Sequence, residues 1–211
     1  MVQRGRHPGF QMSRPAIVLA SRSPRRSQLL SQIGVPHEVL AVDFDEAQLP
    51  GEAPRDYVER VARDKAAHAL RLHADPGGRA LLAADTVVSL GGELLGKPRD
   101  EAECIRILGA LSGRVHEVMT AVVLCAGGGL RAALSVSRVA FRAVDEPERR
   151  AYWATGEPAD KAGAYAVQGL GAVFIERIEG SYSGVMGLPL FETARLLAEA
   201  GIPAWQRAAA P

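Results

Sequence analysis

The sequence has few cysteines, few aromatic side chains and no excess of charge of either sign. Cys104 and Cys125 stand apart in apolar surroundings without a CxxC pair, which excludes a disulfide scaffold and suits a reducing compartment. The 25 Lys and Arg residues are balanced by 24 Asp and Glu residues, and aromatic residues make up 5% of the chain. Because nucleic-acid binding favours basic surfaces and aromatic stacking platforms, we expect no nucleic-acid partner. Any anion-binding site must be local.

Long hydrophobic runs are also absent. No window approaches the roughly 18 apolar residues of a membrane span, and the N-terminus is polar where a signal peptide needs an apolar run. We therefore expect no membrane partner and a cytoplasmic protein. Met12 precedes the first segment with an ordered pattern, so residues 1–13 are expected to be a disordered or mis-assigned leader. Residues 14–204 are expected to form a single domain, and residues 205–211 a flexible tail.

The common sequence signatures of catalysis are missing as well. The five histidines form no HExxH motif, and neither cysteine has a partner at zinc-ligand spacing. There is no GxxxxGKS or GxxxxGKT phosphate loop, no GxGxxG and no GxSxG. The chemistry must therefore be inferred from where charged side chains fall in the predicted fold.

Apolar strand patterns alternate with amphipathic helix patterns along the chain. Apolar residues at helical spacing predict a helix over residues 54–74, and residues 80–84 predict a buried strand that ends on Asp85. Two long strands, 116–125 and 130–141, are joined by three glycines and predict an antiparallel pair in the middle of the sheet. The predicted fold is α/β, with a mixed, partly antiparallel central sheet flanked by helices. The length allows one domain or two lobes that share a cleft.

The segment SRSPRR at residues 21–26 combines hydroxyl and guanidinium groups where a predicted strand passes into a helix. Ser21, Arg25 and Arg26 would lie near the helix N-terminus, where free N–H groups and the helix dipole favour a phosphate. The segment therefore predicts an anion-binding site. The alternative is an ordinary capped helix with solvated arginines.

Carboxylates follow two of the predicted strands. Asp85 is expected at the strand edge over which ligands bind in open α/β sheets. A carboxylate there could hold Mg²⁺ or Mn²⁺ and accept a proton from an attacking water. Asp43, Asp45 and Glu46 follow the second strand, so a cation site could be built from both strand ends. The alternative is a turn aspartate beside an ordinary acidic loop.

Three lysines occupy unusual positions. Lys65 lies within the apolar stripe of its helix, Lys97 lies between Gly96 and Pro98, and Lys161 follows Asp160. A lysine in an apolar stripe either extends outward to solvent or meets an anion. Since phosphoryl transfer relies on cations distributed around the phosphates, a shared cleft would suit a triphosphate.

Several ordered blocks of the sequence now point to a known family. The chain resembles the Maf family from Ile17 to Ile202. The matching blocks are LASRSPRR at 19–26, ADT at 84–86, GKP at 96–98, LSGR at 111–114 with His116 and Thr120, DKAGAY at 160–165, QG at 168–169 and GLP at 187–189.

The resemblance implies both fold and activity. Members of that family are nucleoside triphosphate pyrophosphatases, also called septum-formation inhibitors, that need a divalent cation and have an ITPase-like α/β fold with two lobes around a central cleft. The resemblance implies that Asp85 is the proton acceptor and that Arg25, Thr86 and Gln168 set base preference. The blocks at 160–165 and 168–169 are similar to the branch that prefers dTTP and UTP, rather than the branch that acts on 7-methyl-GTP.

One position departs from the family pattern. The family usually has glutamate at the acidic position after the second strand, where this chain has Asp45 followed by Glu46. The sequence therefore leaves open which of the two carboxylates faces the cleft and joins Asp85 at the metal.

The resulting hypothesis is in-line attack of water on the α-phosphorus of dTTP or UTP, with release of pyrophosphate. Asp85, Lys65 and Lys97 are predicted to be catalytic. The predicted substrate-binding and specificity residues are Ser21, Arg25, Arg26, Thr86, Lys161 and Gln168. The predicted metal ligands for Mg²⁺ or Mn²⁺ are Asp85, Asp45 and Glu46.

Two alternative functions remain open. The chain could be a nucleotide-binding regulator of cell division that binds phosphates without cleaving them. It could perform the same chemistry on another base, such as 7-methyl-GTP, or on modified pyrimidine nucleotides in a house-cleaning role. The paired antiparallel strands also allow a homodimer.

Overall fold

The computed structural model describes residues 17–43, 46–72 and 78–205. The strands are β1 Ile17–Ala20, β2 His37–Leu40, β3 Ala80–Leu90, β4 Glu93–Leu95, β5 Val115–Ala126, β6 Gly129–Phe141 and β7 Ile175–Glu179. The helices are α1 Pro24–Gln32, α2 Pro54–Leu72, α3 Glu101–Leu111, α4 Glu146–Ala154, α5 Tyr182–Met186 and α6 Leu190–Glu199. Short 3₁₀ segments span Glu157–Asp160, Ala162–Ala164 and Leu170–Phe174. The predicted leader, 1–13, and residues 206–211 of the predicted tail lie outside the described residues.

The strands form one mixed sheet of seven strands, which confirms the predicted fold class. The order is β2-β1-β3-β5-β6-β7, and β4 pairs with β3 outside this path. β1 pairs in parallel with β2 and β3, whereas β3, β5, β6 and β7 pair antiparallel. The predicted antiparallel pair, β5 and β6, lies inside the sheet as expected. None of the helices in the described part of the chain is long and apolar enough to span a membrane.

The prediction that a strand ends at Asp85 was wrong. β3 continues through Asp85 to Leu90 because the antiparallel neighbour β5 pairs with it along this length, with Asp85 opposite Ala121. The strand that ends near this position is β1, whose last residue, Ala20, lies opposite Ala83. Asp85 therefore lies two positions past the carboxyl end of β1, and no strand among the described residues pairs with it on that side.

The two faces of β3 pack against different helices, as the alternation of side chains in a strand requires. Leu81, Ala83 and Val87 pack in one cluster with the buried face of α2. Leu82 and Ala84 pack in another cluster with residues of α1 and α6. Asp85 points to the same face of β3 as Leu81, Ala83 and Val87, which is the face covered by α2. Thr86 points to the opposite face. A third cluster joins α3 and α4 to the other end of the sheet and to the 3₁₀ segments.

Candidate active site

A cleft of about 680 Å³ opens above the carboxyl end of β1. Its walls come from the loop between β1 and α1, from α2, from β3, and from the segment that contains the 3₁₀ turns. It brings together all of the predicted site residues except Asp45, which lies outside the described residues. These residues are Ser21, Arg25, Arg26, Glu46, Lys65, Asp85, Thr86, Lys97, Lys161 and Gln168.

Asp85 lies on one wall of the cleft and is bound by Lys65. Lys65 Nζ donates a hydrogen bond of 2.7 Å to Asp85 Oδ1 and lies 2.5 Å from Glu46 Oε1. Asp85 is only 5% exposed. Burial raises the pKa of Asp85, and the charges of Lys65 and Arg26 oppose that shift. A buried carboxylate with this arrangement is a good candidate for a general base.

The structure also settles where Lys65 points. Its side chain is 13% exposed and contacts the carboxylates of Glu46 and Asp85 instead of extending into bulk solvent. Lys65 lies in α2 among residues that pack on the sheet, and Asp85 projects from β3 toward the same helix. The helix therefore places a cation directly beside the only strand carboxylate of β3.

Arg26 forms a hydrogen-bonded network that crosses the cleft floor. Its Nε donates to the Gly187 carbonyl at 2.8 Å, and its Nη2 donates to Thr86 Oγ1 at 3.1 Å. Thr120 Oγ1 donates to the Gly184 carbonyl at 2.8 Å, so Thr86 donates its own proton to Thr120 at 2.9 Å. Burial lowers the pKa of Arg26, and the nearby charges of Asp85 and Glu46 oppose that shift.

Arg26 also contacts the loop that precedes its own helix. Nη1 of Arg26 also reaches Ser21 Oγ at 3.4 Å, and Ser21 Oγ in turn accepts from Ser23 N at 3.1 Å. Arg26 therefore holds together the β1–α1 loop, β3 and the turn after α5. Arg25, the preceding residue, is half-buried and lines the same cleft.

The other two predicted lysines line the cleft from adjacent segments, because Gly163 N donates a hydrogen bond to the Gly96 carbonyl at 3.0 Å. Lys97 is exposed just after β4, and Lys161 is paired with Asp160. Lys161 Nζ also donates to the Glu157 carbonyl at 3.3 Å. Burial opposes ionisation of Asp160, but the hydrogen bond and charge of Lys161 outweigh it and lower the pKa of that carboxyl.

His116 and Tyr165 form a buried aromatic pair at the cleft for which the sequence indicates no role. Tyr165 lines the cleft, is 5% exposed, and its hydroxyl lies 2.8 Å from His116 Nε2. Phe141 packs edge-to-face against the Tyr165 ring at a centroid distance of 4.8 Å. Burial lowers the pKa of His116 to about 4, so the imidazole is neutral at pH 7. His116 and Tyr165 occur in the matched family blocks, but their spacing of 49 residues gives no local signal of contact.

The donor groups of the cleft suit a hard cation that also binds phosphate. Among the described residues, no group of three or more His, Cys, Asp or Glu could hold a metal ion by itself. Asp85 and Glu46 nevertheless both reach the same ammonium group. Mg²⁺ is typically bound by one or two carboxylates together with substrate phosphates and water. The pair therefore fits an ion that arrives with a phosphorylated substrate.

Comparison with known proteins agrees with this architecture. The family model described as Maf-like protein matches residues 16–200. A protein of Methylococcus capsulatus named dTTP/UTP pyrophosphatase is 54% identical over 186 residues, which cover 88% of this chain and 91% of that protein. Proteins of the same name from Bordetella parapertussis and Hahella chejuensis are 54% and 47% identical, over 89% and 91% of this chain and 94% and 96% of their own lengths. The chain is thus a member of the Maf-like protein family.

Proposed function

We propose that this protein hydrolyses dTTP and UTP to the nucleoside monophosphate and pyrophosphate. The observation that carries the proposal is the buried Asp85 carboxylate, which lines a cleft together with the cations Arg25, Lys97 and Lys161. The names of relatives at 47–54% identity support the choice of substrate. Modified pyrimidine nucleotides would fit the same cleft chemistry.

Asp85 is proposed to accept a proton from the water that attacks the α-phosphorus. It must be a carboxylate to do so, and the adjacent charges of Lys65 and Arg26 favour that form against the cost of burial. The triphosphate would lie among Arg25, Lys97 and Lys161, which neutralise charge that develops on the phosphate oxygens. Water attack and cation placement together account for the reaction without a covalent intermediate.

Asp85 and Glu46 are the described residues that would hold Mg²⁺ or Mn²⁺. When bound, the ion supplies additional neutralisation of the phosphate oxygens. Glu46 contacts Lys65 in the structure, which favours Glu46 as the second carboxylate. Asp45 stays a predicted ligand outside the described residues. The cytoplasmic location and the homodimer likewise stay predictions.

Base preference is proposed to depend on Arg25, Thr86 and Gln168. The Thr86 hydroxyl is already engaged by Arg26 and Thr120, so it would act by orienting Arg26 rather than by touching the base. Gln168 is exposed at the cleft. Its amide offers both a donor and an acceptor, which matches the hydrogen-bonding edge of uracil or thymine.

Replacing Gln168 by Glu is expected to lower kcat/KM for dTTP and UTP by about tenfold, because a carboxylate removes the amide donor. The fold should be unaffected since the side chain is exposed. The measurement is kcat/KM over a panel of pyrimidine and purine nucleotides. The matched control is Gln32→Glu, which adds the same charge at the exposed end of α1. Equal base selectivity in both variants would count against the role of Gln168.

The proposed function is tested by incubating the protein with dTTP or UTP and Mg²⁺ or Mn²⁺ and separating the products. The expected products are the monophosphate and pyrophosphate in equal amounts. Binding of dTTP without cleavage would instead favour a nucleotide-binding regulator. Cleavage confined to another base, such as that of 7-methyl-GTP, would overturn the substrate assignment while keeping the chemistry.

A further inference from the structure

The loop that carries Gln168 is fixed by two side chains outside the predicted site. Glu157 Oε2 accepts a hydrogen bond from Leu170 N at 2.9 Å, and Oε1 accepts from Gly171 N at 2.9 Å. The Tyr152 hydroxyl donates to Glu157 Oε1 at 2.6 Å and accepts from Ala166 N at 3.1 Å. The loop backbone is therefore hydrogen-bonded on both sides of Gln168, at residue 166 and at residues 170–171.

Glu157 and Tyr152 each lie close to a glycine of the loop, at a distance that a side chain there would not allow. A Cβ on Gly169 would overlap the Glu157 carboxylate. A Cβ on Gly171 would lie 2.7 Å from the Tyr152 hydroxyl oxygen. Burial opposes ionisation of Glu157, but the hydrogen bonds from Tyr152, Gly171 and Leu170 outweigh it and lower the pKa of that carboxyl. Glu157 therefore binds the loop backbone as a charged hydrogen-bond acceptor.

We infer that Glu157 and Tyr152 are positioning residues for base selection, because they hold the loop at residues 166–171 so that Gln168 faces the cleft. Neither side chain lines the cleft. The inference rests on the proposed function, since it assumes that Gln168 reads the base. It adds residues from α4 and from the first 3₁₀ segment to the determinants of specificity.

Glu157→Gln tests the inference with little change in the shape of the side chain. The carboxylate accepts hydrogen bonds at both oxygens, whereas an amide accepts at one atom and donates at the other. In Glu157→Gln, the amide NH₂ would face a backbone N–H of Leu170 or Gly171, or the Tyr152 hydroxyl. We expect the loop to shift and the affinity ratio for dTTP over dGTP to fall about tenfold.

The affinity ratio is best measured by calorimetry in an Asp85→Asn background with Mg²⁺, so that turnover does not consume the nucleotide. Amide hydrogen exchange at residues 166–171 gives a second readout that does not depend on activity. Faster exchange in the loop and a lower dTTP:dGTP ratio are expected for Glu157→Gln and for Tyr152→Phe. The matched control is Glu148→Gln, which removes a carboxylate of α4 that binds Arg142 at 2.6 Å outside the cleft.

A double-mutant cycle separates loop positioning from general loss of stability. Gly169→Ala should lower the dTTP:dGTP ratio when Glu157 is present, because the new methyl group displaces the carboxylate. In a Glu157→Ala background the same change should cost little, since the overlapping group is gone. Additive effects of the two substitutions would overturn the inference.

The outcomes distinguish this inference from the proposed function. An unchanged ratio in Glu157→Gln together with a lowered ratio in Gln168→Glu overturns the positioning role alone. An unchanged ratio in both variants overturns the positioning role and the reading of the base by Gln168. Failure of the wild-type protein to cleave dTTP overturns the proposed function, while the affinity ratio still decides whether the loop selects the base.

Discussion

Asp85→Asn is expected to lower kcat for dTTP hydrolysis by about 10²-fold or more, with the fold intact. Asparagine has the same shape and can still accept a hydrogen bond from Lys65 Nζ, but it cannot take a proton from water. It also removes one of the two carboxylates proposed to hold the metal ion. The measurement is steady-state kcat and KM, with circular dichroism to confirm the fold.

The matched control for this substitution is Asp56→Asn. Asp56 is an exposed residue in the first turn of α2 and does not line the cleft. The control should stay within about threefold of the wild-type kcat, since surface substitutions away from buried networks have small effects. A near-wild-type kcat in Asp85→Asn would contradict the assignment of Asp85 as the base.

Lys65→Met is expected to lower kcat at pH 7 by about 10- to 100-fold and to move the acid limb of the rate profile to higher pH. Burial and the Glu46 charge both raise the pKa of Asp85, whereas the Lys65 charge lowers it. Without Lys65, the pKa of Asp85 rises further, so less of the carboxylate form is present at neutral pH. The rate should therefore recover as pH increases through the new pKa.

The control on the same helix is Arg63→Met, which removes an exposed cation of α2. It should leave the position of the acid limb unchanged. The measurement is the pH profile of kcat and of kcat/KM for dTTP, followed from the acid limb to the plateau. A uniform loss of rate across this profile in Lys65→Met would show that Lys65 binds phosphate without tuning Asp85.

Much of the fold could be predicted because its signals are local. The apolar spacing of α2 and the glycines between β5 and β6 are read from short windows, and both elements form as expected. The continuity of β3 could not be read in this way. A charged residue inside an apolar run indicates a strand end, and only the pairing with β5 shows that the strand continues.

The candidate site was predictable to the extent that charged residues stand out against an apolar background. Asp85 and Lys65 are conspicuous for that reason, and the structure places them in contact. The hydrogen bonds of Arg26 were not predictable, because its partners Gly187 and Thr86 lie 161 and 60 residues away in the sequence. Glu157 was missed because a glutamate at the start of a glycine-rich segment gives no sign of which backbone groups it binds.

Hydrolysis of dTTP in ¹⁸O-labelled water shows which phosphorus atom the water attacks. Attack on the α-phosphorus, with Asp85 as the base, predicts that the label enters dTMP and that pyrophosphate remains unlabelled. The same distribution should be found for UTP, and its rate of appearance should fall in Asp85→Asn. Label in pyrophosphate, or release of orthophosphate as the first product, would contradict attack on the α-phosphorus.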